Sequence, residues 1–298
     1  MESRFRGASA LTLTSGDLVA TFLPDLGMTG VSLQYRGVEH LALPGGLAAL
    51  RAGATLGLPL LAPWANRLAT RQYRAGRVGV DLSVLELTTD DNGLPMHGLL
   101  VGKPGWRIER HATRRDTAWF RAAIDVDAPA FPFPHRLEVQ VSARDARLKV
   151  GTTVIPTGRR PVPVAFGWHP YLRLPGAARS SWRLRLPARR HLVLDGSGIP
   201  TGGVVDERAE TAPIARRTFD DLYALGRDRR LSYSADDGQS IELRCTSGYP
   251  YAQVWVPKGQ SFAALEPMVA PTNALVTGSA PLVAPGDVYR ATFSLIFT

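Results

Sequence analysis

Four short segments set polar side chains inside otherwise apolar or turn-forming sequence. The first, Pro59-Leu60-Leu61-Ala62-Pro63-Trp64-Ala65-Asn66-Arg67-Leu68, ends a proline-punctuated apolar run in an Asn-Arg pair. The second is Leu94-Pro95-Met96-His97-Gly98-Leu99, and the third contains Gly167-Trp168-His169-Pro170-Tyr171. The fourth, Ala264-Leu265-Glu266-Pro267-Met268, places a carboxylate in an apolar strand. Burying a carboxylate costs on the order of several kcal/mol unless it is paired or protonated. Glu266 is therefore either half of a buried ion pair or a group kept for its chemistry. An imidazole titrates near neutrality, so a histidine and a carboxylate of this kind are groups able to exchange protons. With His97, the same two side chains also make the two-histidine, one-carboxylate set of a facial-triad metal site. Taken singly, each residue has a plainer reading: His97 and His169 as turn or core histidines, Asn66-Arg67 as a surface turn.

The elements available to position these groups read as strands. Leu11–Leu13, Leu18–Leu23, Val31–Tyr35, Val78–Leu82, Trp106–His111, Ala118–Ile124, Arg136–Ser142 and Arg147–Ile155 are short, rich in β-formers and bounded by Gly, Pro or Asp. Trp182–Leu186, His191–Leu194, Arg230–Ser234, Ser240–Cys245, Tyr251–Val256 and Val288–Phe297 continue the pattern. Leu137-Glu138-Val139-Gln140-Val141 alternates with the period of a half-buried strand. Only Gly46–Ala52 and Phe219–Leu225 read as short helices. The βαβ rhythm of a parallel sheet is missing, and 29 Gly with 23 Pro among 298 residues suit many turns. The expected fold is all-β, a large antiparallel β-sandwich. No low-complexity linker divides the chain, so a single domain over residues 1–298 is expected.

The formal net charge is +9, which raises the question of nucleic acid. The basic residues are nearly all Arg, scattered in ones and twos without a basic helix or aromatic-interleaved stripe, so no nucleic-acid partner is expected. The lone cysteine, Cys245, cannot form an intrachain disulfide and sits in an alternating apolar run as a packing residue. Met1–Gly7 is charged, without the apolar core of a secretory signal, and no apolar run approaches the ~20 residues of a membrane helix. A cytoplasmic protein without membrane partners is the expectation; oligomeric state is open.

Together and in this order, the four segments resemble the aldose 1-epimerase (galactose mutarotase-like) family. That family's signatures are a proline-rich stretch ending in Asn-Arg, a His-Gly, a Gly-x-His-Pro-Tyr and a Glu-Pro near the C-terminus. The resemblance spans Pro59 to Ala274, and Gly167-Trp168-His169-Pro170-Tyr171 is its most specific part. Leu172 stands where the family often has Phe, and Ala69-Thr70-Arg71 follows Asn-Arg where it often has Gly. The resemblance implies a β-sandwich of galactose mutarotase type that interconverts the α and β anomers of a free hexose with no metal or other cofactor. It makes His169 the general acid and Glu266 the general base. It also makes Asn66, Arg67, His97, Asp220 and Gln253 the groups that hold sugar hydroxyls. In Phe219-Asp220-Asp221-Leu222-Tyr223 the adjacent acids leave Asp221 as an alternative to Asp220.

Three other readings stand beside this one. A hexose-6-phosphate 1-epimerase needs extra cations at the sugar, for which Arg71, Arg74 and Arg173 are candidates. A non-catalytic sugar-binding protein needs the hydroxyl-binding residues but not both His169 and Glu266. A metal site would use His97, His169 and Glu266. Of Trp64, Trp168 and Trp255, one can stack on a sugar face while at least two pack in the core.

Overall fold

The computed structural model describes all 298 residues. Two antiparallel sheets dominate. The larger has nine strands, running in space from Glu210–Pro213 through Arg183–Leu186, Arg230–Ser234, Ser240–Ser247, Tyr289–Phe297, Arg147–Pro156, Phe131–Arg144 and Thr117–Ala128 to Arg107–Arg114. The smaller has eight: Pro200–Glu207, Arg189–Leu194, Phe219–Leu225, Tyr251–Val256, Ala263–Met268, Gly167–Trp168 and Leu60–Leu61, with Tyr171–Leu172 also paired to Ala263–Met268. A five-stranded N-terminal sheet spans Glu2 to Glu39.

The sheets bury their facing sides against each other. Phe131–Arg144 alternates buried and more exposed positions along its whole length, because a strand's side chains switch faces at every residue. Val139, Val141, Val150 and Phe293 of the nine-stranded sheet share one apolar cluster with Trp168, Ala252, Val254 and Leu265 of the eight-stranded sheet. Trp168 lies 6.0 Å from Phe293 ring to ring, and its indole N–H donates to Thr152 Oγ1 at 3.1 Å across the interface. Trp168 is thus a core residue, as is Trp64, which is fully buried. Cys245 is buried too, and burial pushes its thiol up to about 12.

Gly46–Arg51 is the expected short helix. Phe219–Leu225 is not a helix but a central strand between Arg189–Leu194 and Tyr251–Val256. Its apolar residues at 219, 222, 223 and 225 mimic a helical period because this strand is covered on both faces beyond Asp221. Pro200–Glu207, with its Pro and two Gly, carried no strand signal; it is an exposed edge strand, the position that tolerates such residues.

Candidate active site

The eight-stranded sheet aligns the chemically important residues by register. Gln253 pairs with Leu222 on one side and with Glu266 on the other, while Asp220 pairs with Trp255. Residues opposite each other, and those two apart along a strand, share a face. Asp220, Gln253, Trp255 and Glu266 therefore point to one side, away from the intersheet core. Asp221 points to the other, where its Oδ1 lies 3.4 Å from His191 Nε2.

His169 follows directly on Gly167–Trp168, a two-residue strand held against Leu60–Leu61 and Met268. A side chain at 167 would put its Cβ 2.9 Å from the Pro267 carbonyl and 3.0 Å from Ala65 Cβ, so glycine permits the close approach. The His169 amide donates to the Pro59 carbonyl. Its ring lies parallel to Tyr171 with centroids 4.2 Å apart. Trp255 and His97 meet it edge-on, at 5.5 and 5.7 Å. Aromatic packing, not a hydrogen bond at Nδ1, sets the plane of the imidazole.

Two loop segments bring in the remaining groups. Arg67 pairs with Met96, the His97 amide donates to the Asn66 carbonyl, and the Leu68 amide donates to the Pro95 carbonyl. Asn66 and His97 are both left-handed, with φ of 59° and 63°, a conformation uncommon outside glycine in which Asn and His are among the enriched residues. Gly98, also left-handed, lies against the Ala62 carbonyl so tightly that a Cβ would sit 2.2 Å from its oxygen. The His-Gly pair is therefore held by backbone contact with the proline-rich segment.

Arg67 is gripped from several sides. Its Nε donates to Asp90 Oδ2 at 2.8 Å, its Nη1 to Asn66 Oδ1 at 3.1 Å, and its Nη2 to Asp220 Oδ2 at 3.4 Å. Asp90 opens a turn in which its Oδ1 accepts the Asn92 and Leu94 amides. Asp195-Gly196-Ser197-Gly198-Ile199 builds the same turn, with Asp195 Oδ1 accepting the Ser197 and Ile199 amides. The backbone of Gly198 faces the Arg67 guanidinium, where a Cβ would lie 2.8 Å from Nη1. Two Asp-x-x-Gly turns, distant in sequence, thus touch one guanidinium.

These groups surround a cavity of about 310 Å³ whose walls include Asn66, Arg67, His97, His169, Asp220 and Glu266, a size that holds a small polar ligand. His169 Nε2 and Glu266 Oε1 are 3.3 Å apart. Both side chains are buried, and His169 Nδ1, Glu266 Oε2 and His97 Nδ1 have no hydrogen-bond partner within the protein. Buried polar groups are nearly always paired, so three such orphans on one cavity wall mark a place built for a polar guest.

Burial also sets the protonation. It pulls His97 down to about 3. Burial first, and the neighbouring His97 second, hold His169 well below the usual histidine range. Burial and the nearby Asp220 raise Glu266 well above the usual carboxylate range. Burial thus disfavours the charged form of both groups, and the contact between them lets one proton be shared between Nε2 and Oε1.

A profile of the aldose 1-epimerase family matches residues 9–295. The chain belongs to the aldose 1-epimerase family. The fold agrees. A galactose mutarotase-like protein from Clostridium acetobutylicum is 18% identical and superposes with a TM-score of 0.89, over 100% of this chain and 98% of that one. An aldose epimerase homologue from C. elegans (16% identity, TM-score 0.79) covers 97% of this chain and 98% of its own. Galactose 1-epimerase from Lactobacillus acidophilus NCFM (13% identity, TM-score 0.78) covers 100% and 97%. A search of curated protein sequences finds no match.

In this aldose 1-epimerase family member, six of the seven site residues read from the sequence line one cavity. The seventh, Gln253, does not; it lies beneath Asp220, donating from Nε2 to Oδ1 at 2.7 Å, so it aims a carboxylate at the cavity without forming the wall. Of the adjacent acids, Asp220 is the one at the cavity. Trp255 is the tryptophan on the wall. Arg71, Arg74 and Arg173 are elsewhere: Arg71 lies against the Leu82 and Leu85 carbonyls, Arg173 donates to the Glu39 carbonyl, and Arg74 borders a separate hollow beside Ala274. No group of three or more His, Cys, Asp or Glu is arranged to hold a metal ion. Sequence reading missed Asp90, Asp91, Asn92 and Met96. The signal for the first three was Asp90-Asp91-Asn92-Gly93, a turn-former directly preceding the His-Gly segment.

Proposed function

We propose that the protein interconverts the α and β anomers of an unphosphorylated hexose, with His169 and Glu266 exchanging protons with the sugar. Ring opening moves one proton off the C1 hydroxyl and one onto the ring oxygen; closure on the other face of the aldehyde reverses both. One donor and one acceptor suffice, and the His169–Glu266 pair holds one proton between two sites. A sugar hydroxyl donating to Glu266 Oε2 favours the carboxylate, which moves the shared proton to His169. Glu266 then takes the C1 hydroxyl proton and His169 protonates the ring oxygen, each group contributing about 10²–10⁴-fold. Asn66, Arg67, His97 and Asp220 hold the hydroxyls, and Gln253 fixes Asp220.

The observation that carries this reading is the row of buried, unpartnered polar atoms on the cavity wall, His97 Nδ1, His169 Nδ1 and Glu266 Oε2. Against a phosphorylated substrate stands the lack of any free cation: Arg67 is the only Lys or Arg on the cavity and it is already paired. Polarimetry of freshly dissolved α-glucose and α-galactose, with and without the protein, is the test. Equilibration no faster than buffer for either sugar refutes the proposal.

A further inference from the structure

The chain as a whole is basic, at +9, yet the sugar cavity reverses that sign. Asp90, Asp91 and Asp220 stand on its wall against Arg67 alone, a net of two negative charges before Glu266 is counted. Arg67 is spent on Asp90 and Asp220. Asp91 is exposed at the mouth and takes part in none of the molecule's ion pairs. Neither cavity histidine offsets the charge, since burial keeps both neutral. The same wall carries the unpartnered Glu266 Oε2 and His97 Nδ1, each on a side chain more than nine-tenths buried, so the acidic groups border a real ligand space and not an open surface.

Asp90 is taken up by Arg67, and Asp220, though bonded to Arg67 and Gln253, keeps acceptor capacity for a hydroxyl; Asp91 has no ion-pair partner and is left to act through its field. We infer that the site favours hexoses carrying a protonated amine, taking amino sugars ahead of their neutral counterparts and neutral sugars ahead of anionic ones. The inference rests on the epimerase reading above and names its substrate class. The physical cause is focusing: a cleft lined by one sign of charge, with protein walls around it, concentrates the opposite charge. An ammonium on the sugar also supplies three donors where a hydroxyl supplies one, which suits a wall of carboxylate acceptors.

The test compares 2-amino-2-deoxy-α-D-glucose and its galactose analogue with α-glucose, α-galactose and α-glucose 6-phosphate. The full-length protein is used at pH ~6.5, where the amines are protonated, and each uncatalysed rate is subtracted. At an ionic strength of about 20 mM, the kcat/KM of an amino sugar exceeds that of its neutral partner by about tenfold, and the phosphate falls below glucose by a similar factor. In about 1 M NaCl, where charges are screened within ~3 Å, both ratios move towards one. Asp91→Lys lowers the amino-to-neutral ratio at low salt by about tenfold, and Asp91→Asn lowers it by less. Neutral sugars equilibrated as fast as amino sugars at low salt overturn this inference and leave the epimerase reading standing. So does an amino-sugar preference indifferent to both salt and Asp91. No acceleration of any sugar overturns both.

Discussion

Replacing His97 by Asn removes a buried imidazole while preserving a left-handed backbone, because Asn is among the non-glycine residues most at home at a φ near the 63° found here. The consequence for acid stability can be worked out. In the unfolded chain the imidazole titrates at about 6.5; in the folded protein, burial and the nearby Arg67 hold it at about 3. A group depressed in this way stabilises fully above its unfolded value, and the stability is lost as pH falls from there towards the folded value. At about pH 7.5 the imidazole is neutral in both states and contributes no pH dependence. At about pH 5 the unfolded chain has taken up the proton and the folded one has not, so ~1.5 pH units at 1.36 kcal/mol each give a loss of about 2 kcal/mol. Any folded value below about 4 gives the same loss at that pH. The other buried histidines with lowered values, His40, His135 and His169, remain in the variant; His97 is itself the second cause of the low His169 value, so its removal relaxes His169 and widens the difference in the same direction. Urea unfolding followed by tryptophan fluorescence at both pH values is the assay. Wild-type stability should fall from pH 7.5 to 5 by about 2 kcal/mol more than that of His97→Asn, a midpoint difference of about 0.7 M at an m-value of ~3 kcal/mol/M. Parallel behaviour of the two proteins across that range would falsify the claim that the cavity keeps this imidazole neutral.

Glu266→Gln should lower turnover of the anomerised sugar by about 10²–10⁴-fold. It should not lower the unfolding midpoint at neutral pH, since the amide resembles the protonated acid that burial favours. A variant that turns over within a few-fold of wild type removes Glu266 from proton transfer. His169→Asn should show a loss of the same order by polarimetry, and full retention there assigns the chemistry to Glu266 and another partner. Asp90→Ala strips Arg67 of its shortest ion pair and the turn of two caps, so stability should drop by about 3 kcal/mol in denaturant unfolding; an unchanged midpoint rejects the pair as an anchor. Gly198→Ala forces a Cβ into the left-handed region and onto the Arg67 guanidinium. It should cost about 1–2 kcal/mol and raise KM more than it lowers kcat, and kinetics identical to wild type would show that this turn does not position Arg67.

Much of the framework was legible because strand chemistry is local. Leu18–Leu23, Arg230–Ser234 and Tyr251–Val256 coincide in sequence reading and structure, each bounded by turn residues that end a strand wherever it sits. Phe219–Leu225 misled because a strand covered on both faces loses its alternation, and the surviving apolar spacing is shared with a helix. Very short pairings such as Gly167–Trp168 and Leu60–Leu61 have no signal of their own. They exist because the Gly167 backbone can approach Pro267 and Ala65, a fact about contact between segments far apart in the chain.

The site divides along the same line. Glu266 and His169 stood out because a buried carboxylate and a histidine amid apolar residues are anomalies that need no partner to be noticed. The sequence shows Gln253 as a polar residue but not how it meets its neighbours; register sets it between Leu222 and Glu266 with Asp220 diagonally opposite, where its Nε2 bonds Asp220 and its Oε1 is left unpartnered. Register also separates Asp220 from Asp221, because a strand sends neighbours to opposite faces and only one face borders the cavity. The turns at Asp90 and Asp195 were the least visible part. Each is an ordinary Asp-x-x-Gly bend when read alone, and its role exists only where Asp90 meets Arg67 and the Gly198 backbone closes on the same guanidinium. A charged side chain fixed from two loops and a strand has little side-chain entropy left to lose when a ligand arrives. The proposed reaction asks this of Arg67, as the group that would orient the sugar ring while His169 and Glu266 move its protons.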